Sequence, residues 1–235
     1  MELFINDGTS FEKLIGTKKN YVFIGEAGSG KSEIVLNAAL MLAKTGKKVE
    51  LYDLDQTKPL YRSRDLQGSF REKGVEIMFQ DQYLDAPTSV GGVLNSLQGD
   101  GYTLLDIGGG HSAARMAGPY SELLNSDDTL PVYIVNPYRP WTKDIGSVDE
   151  TMSHILRSMR LNRIYVLGNP NLGCETTAEE VVEGIEKIEE LFSGITEVNS
   201  MCVRSEIAEE VRSMTDRDVI PIDLYLTYPW IDKEN

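Results

Sequence analysis

Apolar residues along the chain fall into short unbroken runs, each followed by a stretch in which they recur at helical spacing, and this alternation repeats almost from end to end. The runs predict strands over residues 2–5, 21–24, 48–55, 75–79, 102–106, 131–136, 163–168, 197–203 and 219–222. The periodic stretches predict a helical turn over 11–15 and helices over 33–44, 89–97, 112–124, 144–159, 178–192 and 206–214, with an irregular loop and then a helix within 56–73. The period is clearest over 178–192: Val181, Val182, Ile185, Ile188, Leu191 and Phe192 share one face, and Glu179, Glu180, Glu183, Glu186 and Glu190 occupy the solvated remainder. Strand and helix in alternation predict an α/β fold, a mostly parallel, doubly wound sheet flanked by helices. A single domain over 1–235 is expected, with 1–19 as an N-terminal edge extension and 224–235 as a tail.

Ligands of such sheets bind beyond the carboxyl ends of the strands. The chemistry-bearing residues fall there. Residues 25–32, Gly-Glu-Ala-Gly-Ser-Gly-Lys-Ser, fit G-x-x-x-x-G-K-[S/T] between the apolar run Tyr21-Val22-Phe23-Ile24 and a helix starting near Glu33. Glycines let such a loop curl until successive N–H groups point at phosphate oxygens, and the new helix adds its positive end. Gly25, Ala27, Gly28, Ser29, Gly30, Lys31, Ser32 and Glu33 are therefore candidate nucleotide-binding positions. Lys31 would reach the β- and γ-phosphates, and the Ser32 hydroxyl would hold Mg²⁺. A glycine-rich turn that binds nothing would explain the glycines alone, but not their place between strand and helix.

Asp106 closes the strand at 102–106 and runs into Gly108-Gly109-Gly110, as a Mg²⁺-holding carboxylate followed by a switch loop would. Gly109 is the expected approach to the γ-phosphate. Asp53 and Asp55 alternate at the end of another strand. Asp55 is the candidate to orient or deprotonate the attacking nucleophile; Asp53 is either a further metal carboxylate or a cap or buried hydrogen-bond acceptor. Asn136 and Asn169 end later strands.

The net charge of −14 argues against binding nucleic acid or anionic lipid, because affinity for either comes largely from Lys and Arg neutralising phosphates. The early lysines, Lys13, Lys18, Lys19, Lys44, Lys47 and Lys48, read as solvated residues around the loop and the end of the first helix. The apolar stretch 34–43, broken by Asn37, is too short to span a bilayer, and Glu2 and Asp7 stand where a leader would be basic and then apolar, so a cytoplasmic location is expected. Cys174 and Cys202, far apart, and the isolated His111 and His154 indicate neither a zinc site nor a disulfide framework.

Taken together these residues resemble the MinD/ParA/CobQ-like P-loop ATPases. Beside the phosphate loop, Asp53-Leu54-Asp55-Gln56, Asp106-Ile107-Gly108-Gly109, Asn169-Pro170 and Ile220-Pro221-Ile222-Asp223 stand where that family carries its motifs, over residues 21–223. The resemblance implies that Asn169 hydrogen-bonds adenine and that the segment around Pro221 packs on the base. It also implies a Mg²⁺-dependent switch that binds ATP, hydrolyses it to ADP and regulates or loads a protein partner, with a nucleotide-dependent homodimer as one form. Many members carry a second lysine early in the loop that reaches across the dimer; Glu26 stands in its place, leaving Lys58, Arg62, Arg64 and Arg139 as available cations. The basic amphipathic tail of membrane-binding members and the paired cysteines of metal insertases are absent. A small-molecule kinase or ATP-dependent synthetase, with Arg62-Ser63-Arg64-Asp65 holding an anionic acceptor, is the alternative; a nucleotide-holding module that docks a partner through its acidic helix is a third reading.

Overall fold

The computed structural model describes residues 3–55, 66–78 and 92–226. Among them eight strands form one sheet in the order β3-β2-β4-β1-β5-β6-β7-β8, parallel throughout, with β1 Asn20–Ile24, β2 Val49–Asp53, β3 Val75–Met78, β4 Tyr102–Asp106, β5 Thr129–Val135, β6 Tyr165–Gly168, β7 Ser200–Arg204 and β8 Asp218–Ile222. The chain steps outward from β1 to β2 and β3, returns to β4 beside β1, and then crosses to β5 and runs out to β8. That reversal opens a crevice at the carboxyl end of β1, where the glycine loop lies.

Successive residues of a strand face opposite sides of the sheet, so β1 feeds two cores: Val22 and Ile24 into one, Tyr21 and Phe23 into the other. Every residue of β1, β4, β5 and β6 is buried, which is why their sequences are nearly unbroken apolar runs rather than alternating ones. Helices cover both faces. On one lie α2 Lys31–Ala43 and α3 Gln67–Glu72; on the other are α7 Ile145–Met159 and α8 Ala178–Phe192. A reciprocal capping box, the Thr177 hydroxyl accepting the Glu180 N–H while the Glu180 carboxylate accepts that of Thr177, starts α8 at its expected first residue. The shorter helices are α1 Phe11–Leu14, α4 Val93–Leu97, α5 His111–Ala114, α6 Ser121–Leu124 and α9 Ala208–Met214.

Two elements depart from the sequence reading. The helix expected over 112–124 is broken into α5, a 3₁₀ stretch over Arg115–Tyr120 and α6, with Pro119 inside the 3₁₀ stretch, where it supplies no N–H to a continuous helix. The N-terminal segment expected at a sheet edge lies alongside β6, an interior strand. Phe4 bridges Ile164, and the Asn6 side-chain amide both donates to the Val166 carbonyl at 2.9 Å and accepts its N–H at 2.8 Å, reproducing what a strand partner would provide. β6 meets β7 only at Gly168↔Met201, which leaves the start of β6 to this segment. Among the described residues no helix is long and apolar enough to cross a membrane. Gln56, Lys58, the stretch Arg62-Ser63-Arg64-Asp65 and the tail from 227 onward lie outside the described residues.

Candidate nucleotide-binding site

The loop over residues 25–32 leaves the centre of the sheet and turns directly into α2, whose first residue is Lys31. Gly30 makes the turn at φ +94°, and a Cβ there would collide with Asn169 Nδ2 at the end of β6. The same Asn169 amide donates to the Ser29 carbonyl at 2.7 Å, so the loop is fastened to the strand that carries the expected base-reading residue. Lys31 is drawn back over the loop, its Nζ 2.8 Å from the Glu26 carbonyl and 3.4 Å from Ser29 Oγ.

Ser32 Oγ donates to Asp106 Oδ2 at 2.6 Å, joining the first turn of α2 to the end of β4. Asp53 is the register partner of Asp106 on the neighbouring strand, and both are buried. Burial first, and the Asp53 charge second, push the Asp106 carboxyl up to about 7. Its other oxygen, Oδ1, is buried with no hydrogen-bond partner among the described residues. Two adjacent carboxylates and a hydroxyl with an unused buried oxygen suit a hard divalent cation, which would relieve the repulsion. No three His, Cys, Asp or Glu side chains gather as a metal cluster among the described residues.

Asp53 also takes the acceptor role foreseen for it: one of its oxygens accepts the Asp55 N–H at 3.0 Å, bending the chain as it leaves β2. Asp55 lines the cavity and faces the glycine run, where a Cβ on Gly108 would sit 2.9 Å from Asp55 Oδ1. One residue on, a Cβ on Gly109 would come within 2.7 Å of the Ala27 backbone. Only glycine lets the two loops stack so closely, and the Gly110 N–H reaches the Gly25 carbonyl at 3.4 Å.

Beside the loop is a cavity of about 410 Å³. Its lining includes Gly28, Gly30, Lys31 and Ser32 of the loop and its helix, together with Glu33, Asp55 and Arg139. Asn169, Leu172, Cys174, Ile222, Leu224 and Leu226 also line it. Asn136 lines it as well, donating to the Asn171 carbonyl at 2.7 Å and accepting the Tyr138 N–H at 3.0 Å.

One sequence expectation changes here. Pro221 does not line the cavity: within β8 it is exposed, while Ile222, one residue on and facing the other way, does. Glu33, expected among the nucleotide-binding positions, does line the cavity, and its carboxylate is bonded to the segment after β8. It accepts the N–H groups of Tyr225 and Leu226, each at 2.9 Å, while burial pushes it up to about 7. One turn further, the Asn37 amide donates to the Asp223 carbonyl at 2.8 Å and accepts its N–H at 3.0 Å. Residues 223–226 thus form a strap seated on α2 and carrying Leu224 and Leu226 to the cavity, an arrangement the sequence reading missed. Its one signal is Glu33 and Asn37, four apart and the only polar residues of the helix after Ser32.

No protein-family model matches the chain, and no curated protein does. Solved structures do resemble it. The cell division protein FtsY of Thermotoga maritima superposes with a TM-score of 0.53 at 14% identity, over 79% of this chain and 62% of that one. The chloroplast FtsY of Physcomitrella patens gives 0.51 at 14% identity, over 81% and 64%. The signal recognition particle receptor FtsY of Elizabethkingia anophelis, in complex with GDP, gives 0.50 at 16% identity, over 79% and 57%. The fold is that of the P-loop NTPases. At such identity the likeness concerns fold alone, and the chain spans about three fifths of the length of these neighbours.

Proposed function

We propose that this chain is a Mg²⁺-dependent ATP-binding and ATP-hydrolysing switch of MinD/ParA-like type that regulates or loads a protein partner. The observation that carries the reading is the convergence of Lys31, Ser32, Asp106 and Asp55 with the glycine run at 108–110 around one loop at the centre of the sheet.

In this reading the loop N–H groups from Gly25, Ala27, Gly28, Ser29 and Gly30 to Ser32 hold the phosphates, and Lys31 leaves the Glu26 carbonyl for the β- and γ-phosphates. Ser32, Asp53 and Asp106 would hold Mg²⁺, which would supply neutralisation of charge on the phosphate oxygens. Asp55 orients the attacking water or takes its proton. Gly109, stacked on Ala27, approaches the γ-phosphate and moves when it leaves, shifting Gly108 against Asp55. Asn169 receives the adenine amino group, and Leu224 and Leu226 cover the base. The GDP held by the FtsY of Elizabethkingia anophelis belongs to that protein, and no N-K-x-D element for guanine occurs here.

The test is Mg²⁺·ATP binding and phosphate release by the wild type and by Lys31→Ala. Loss of both in the variant is expected; unchanged binding and turnover would overturn the reading. A cytoplasmic nucleotide-dependent homodimer belongs to the same proposal: solution mass should double with Mg²⁺ and a non-hydrolysable ATP analogue and return to the monomer with ADP.

A further inference from the structure

A polyphosphate brings several negative charges to a site, and a chain of net charge −14 must set cations against them locally. Among the described residues lining the cavity the cations are Lys31 and Arg139 and the acids are Glu33 and Asp55. Arg139 follows β5 in a turn that is tied down on both sides. Asn136 Oδ1 accepts the Tyr138 N–H, and the Thr142 hydroxyl lies 2.8 Å from both the Asn136 and the Arg139 carbonyls. The Thr142 N–H also donates to the Arg139 carbonyl at 3.0 Å. From this turn Arg139 Nε donates to the Gly28 carbonyl at 2.9 Å, in the middle of the phosphate loop. Its four terminal N–H groups make no hydrogen bond or ion pair with the described residues, although the side chain lines the cavity.

These donors are left to solvent or to a ligand in the cavity. A guanidinium held by one nitrogen and open at the other two is arranged for an anion, because its fork matches phosphate oxygens two at a time. We propose that Arg139 is a second phosphate-binding cation of this site, supplied from the same chain: Nε stays on the Gly28 carbonyl while the terminal nitrogens hold the β-phosphate side of the nucleotide. The proposal rests on the nucleotide-binding reading above. It places a cation on the loop within one protomer, although Glu26 occupies the loop's second position.

The test is Mg²⁺·ADP and Mg²⁺·ATP affinity, by titration calorimetry at low and high salt, for the wild type, Lys31→Ala, Arg139→Gln and Arg139→Lys. Glutamine can still donate to the Gly28 carbonyl but brings no charge. Arg139→Gln is expected to weaken ADP and ATP alike by roughly ten- to a hundred-fold and to flatten the salt dependence, with Arg139→Lys in between and adenosine affinity unchanged in all. If Arg139→Gln binds ADP as the wild type does, or weakens adenosine equally, the inference is overturned while the nucleotide reading stands. If the wild type binds neither nucleotide, both fall.

Discussion

The Glu33 carboxylate accepts the backbone N–H of Tyr225 at 2.9 Å, tying the helix that grows out of the phosphate loop to the segment that follows the last strand. The tie is doubled by the Leu226 N–H at the same distance, and Tyr225 packs edge-on against Phe70 with ring centroids 5.2 Å apart. Ser32, the residue before Glu33, faces Asp106, so one turn of helix touches the expected metal carboxylate on one side and the strap on the other. Glu33→Ala removes the acceptor of two part-buried N–H groups and should lower stability by about 1–2 kcal/mol. Urea unfolding measures this. Hydrogen exchange should rise at Tyr225 and Leu226 well before it rises in β1; protection unchanged at both would show that the strap is held by Asn37 and Phe70 instead.

Asp106 and Glu33 make stability depend on pH in a direction opposite to that of an ordinary paired carboxylate. Burial raises Asp106 from 3.8 and Glu33 from 4.5 to about 7 in the fold. The folded protein therefore keeps protons that the unfolded chain releases between about pH 4 and 7. The contribution of these groups is complete below their unfolded values and is lost as pH rises through about 7. The ligand-free protein should be more resistant to urea near pH 5 than near pH 8. Glu33→Gln should shrink the difference. A profile that Glu33→Gln leaves unchanged would assign the dependence to other groups.

Asp106→Asn separates stability from function. It removes a buried charge that repels Asp53 and should raise the melting temperature of the ligand-free protein. It also removes the negatively charged ligand proposed for Mg²⁺, so the gain in nucleotide affinity on adding Mg²⁺ should fall at least roughly ten-fold. A variant that melts lower and responds to Mg²⁺ like the wild type would refute both halves.

Local signals carried most of the fold. Each buried strand is a dense apolar run, and α8 declares itself through Thr177 and Glu180 at its start and a regular face of Val181, Ile185 and Ile188. The phosphate loop was legible because its chemistry is written in consecutive residues. What escaped depends on partners far along the chain. Nothing near Asn6 states that its amide will pair with Val166, and nothing near Glu33 states that its carboxylate will meet Tyr225. The family resemblance implies that the segment around Pro221 packs on the base, and the pleat of β8 decides that Ile222 is its residue lining the cavity. Asp53 stood open between two roles, and the structure has it accepting the Asp55 N–H.

The choice of base can be argued from a single oxygen. Asn169 spends its amide nitrogen on the Ser29 carbonyl, leaving Oδ1 buried and without a hydrogen-bond partner among the described residues. An acceptor at that place favours a base edge that presents an amino hydrogen, as adenine does, and disfavours the guanine O6 carbonyl, which would leave two acceptors face to face. ATP should therefore displace a fluorescent nucleotide at least roughly ten-fold more effectively than GTP, and inosine triphosphate, which has the carbonyl in place of the amino group, should fall with GTP. Asn169→Ala removes the discriminating oxygen together with the tie to Ser29, so ATP affinity should drop while the ratio of ATP to GTP approaches one. Asn169→Asp keeps an acceptor and loses only the tie; it should bind both nucleotides less well and still prefer ATP. Equal affinity for GTP and ATP in the wild type would place the specificity elsewhere and refute the adenine reading, leaving the phosphate site of Lys31 and Ser32 untouched.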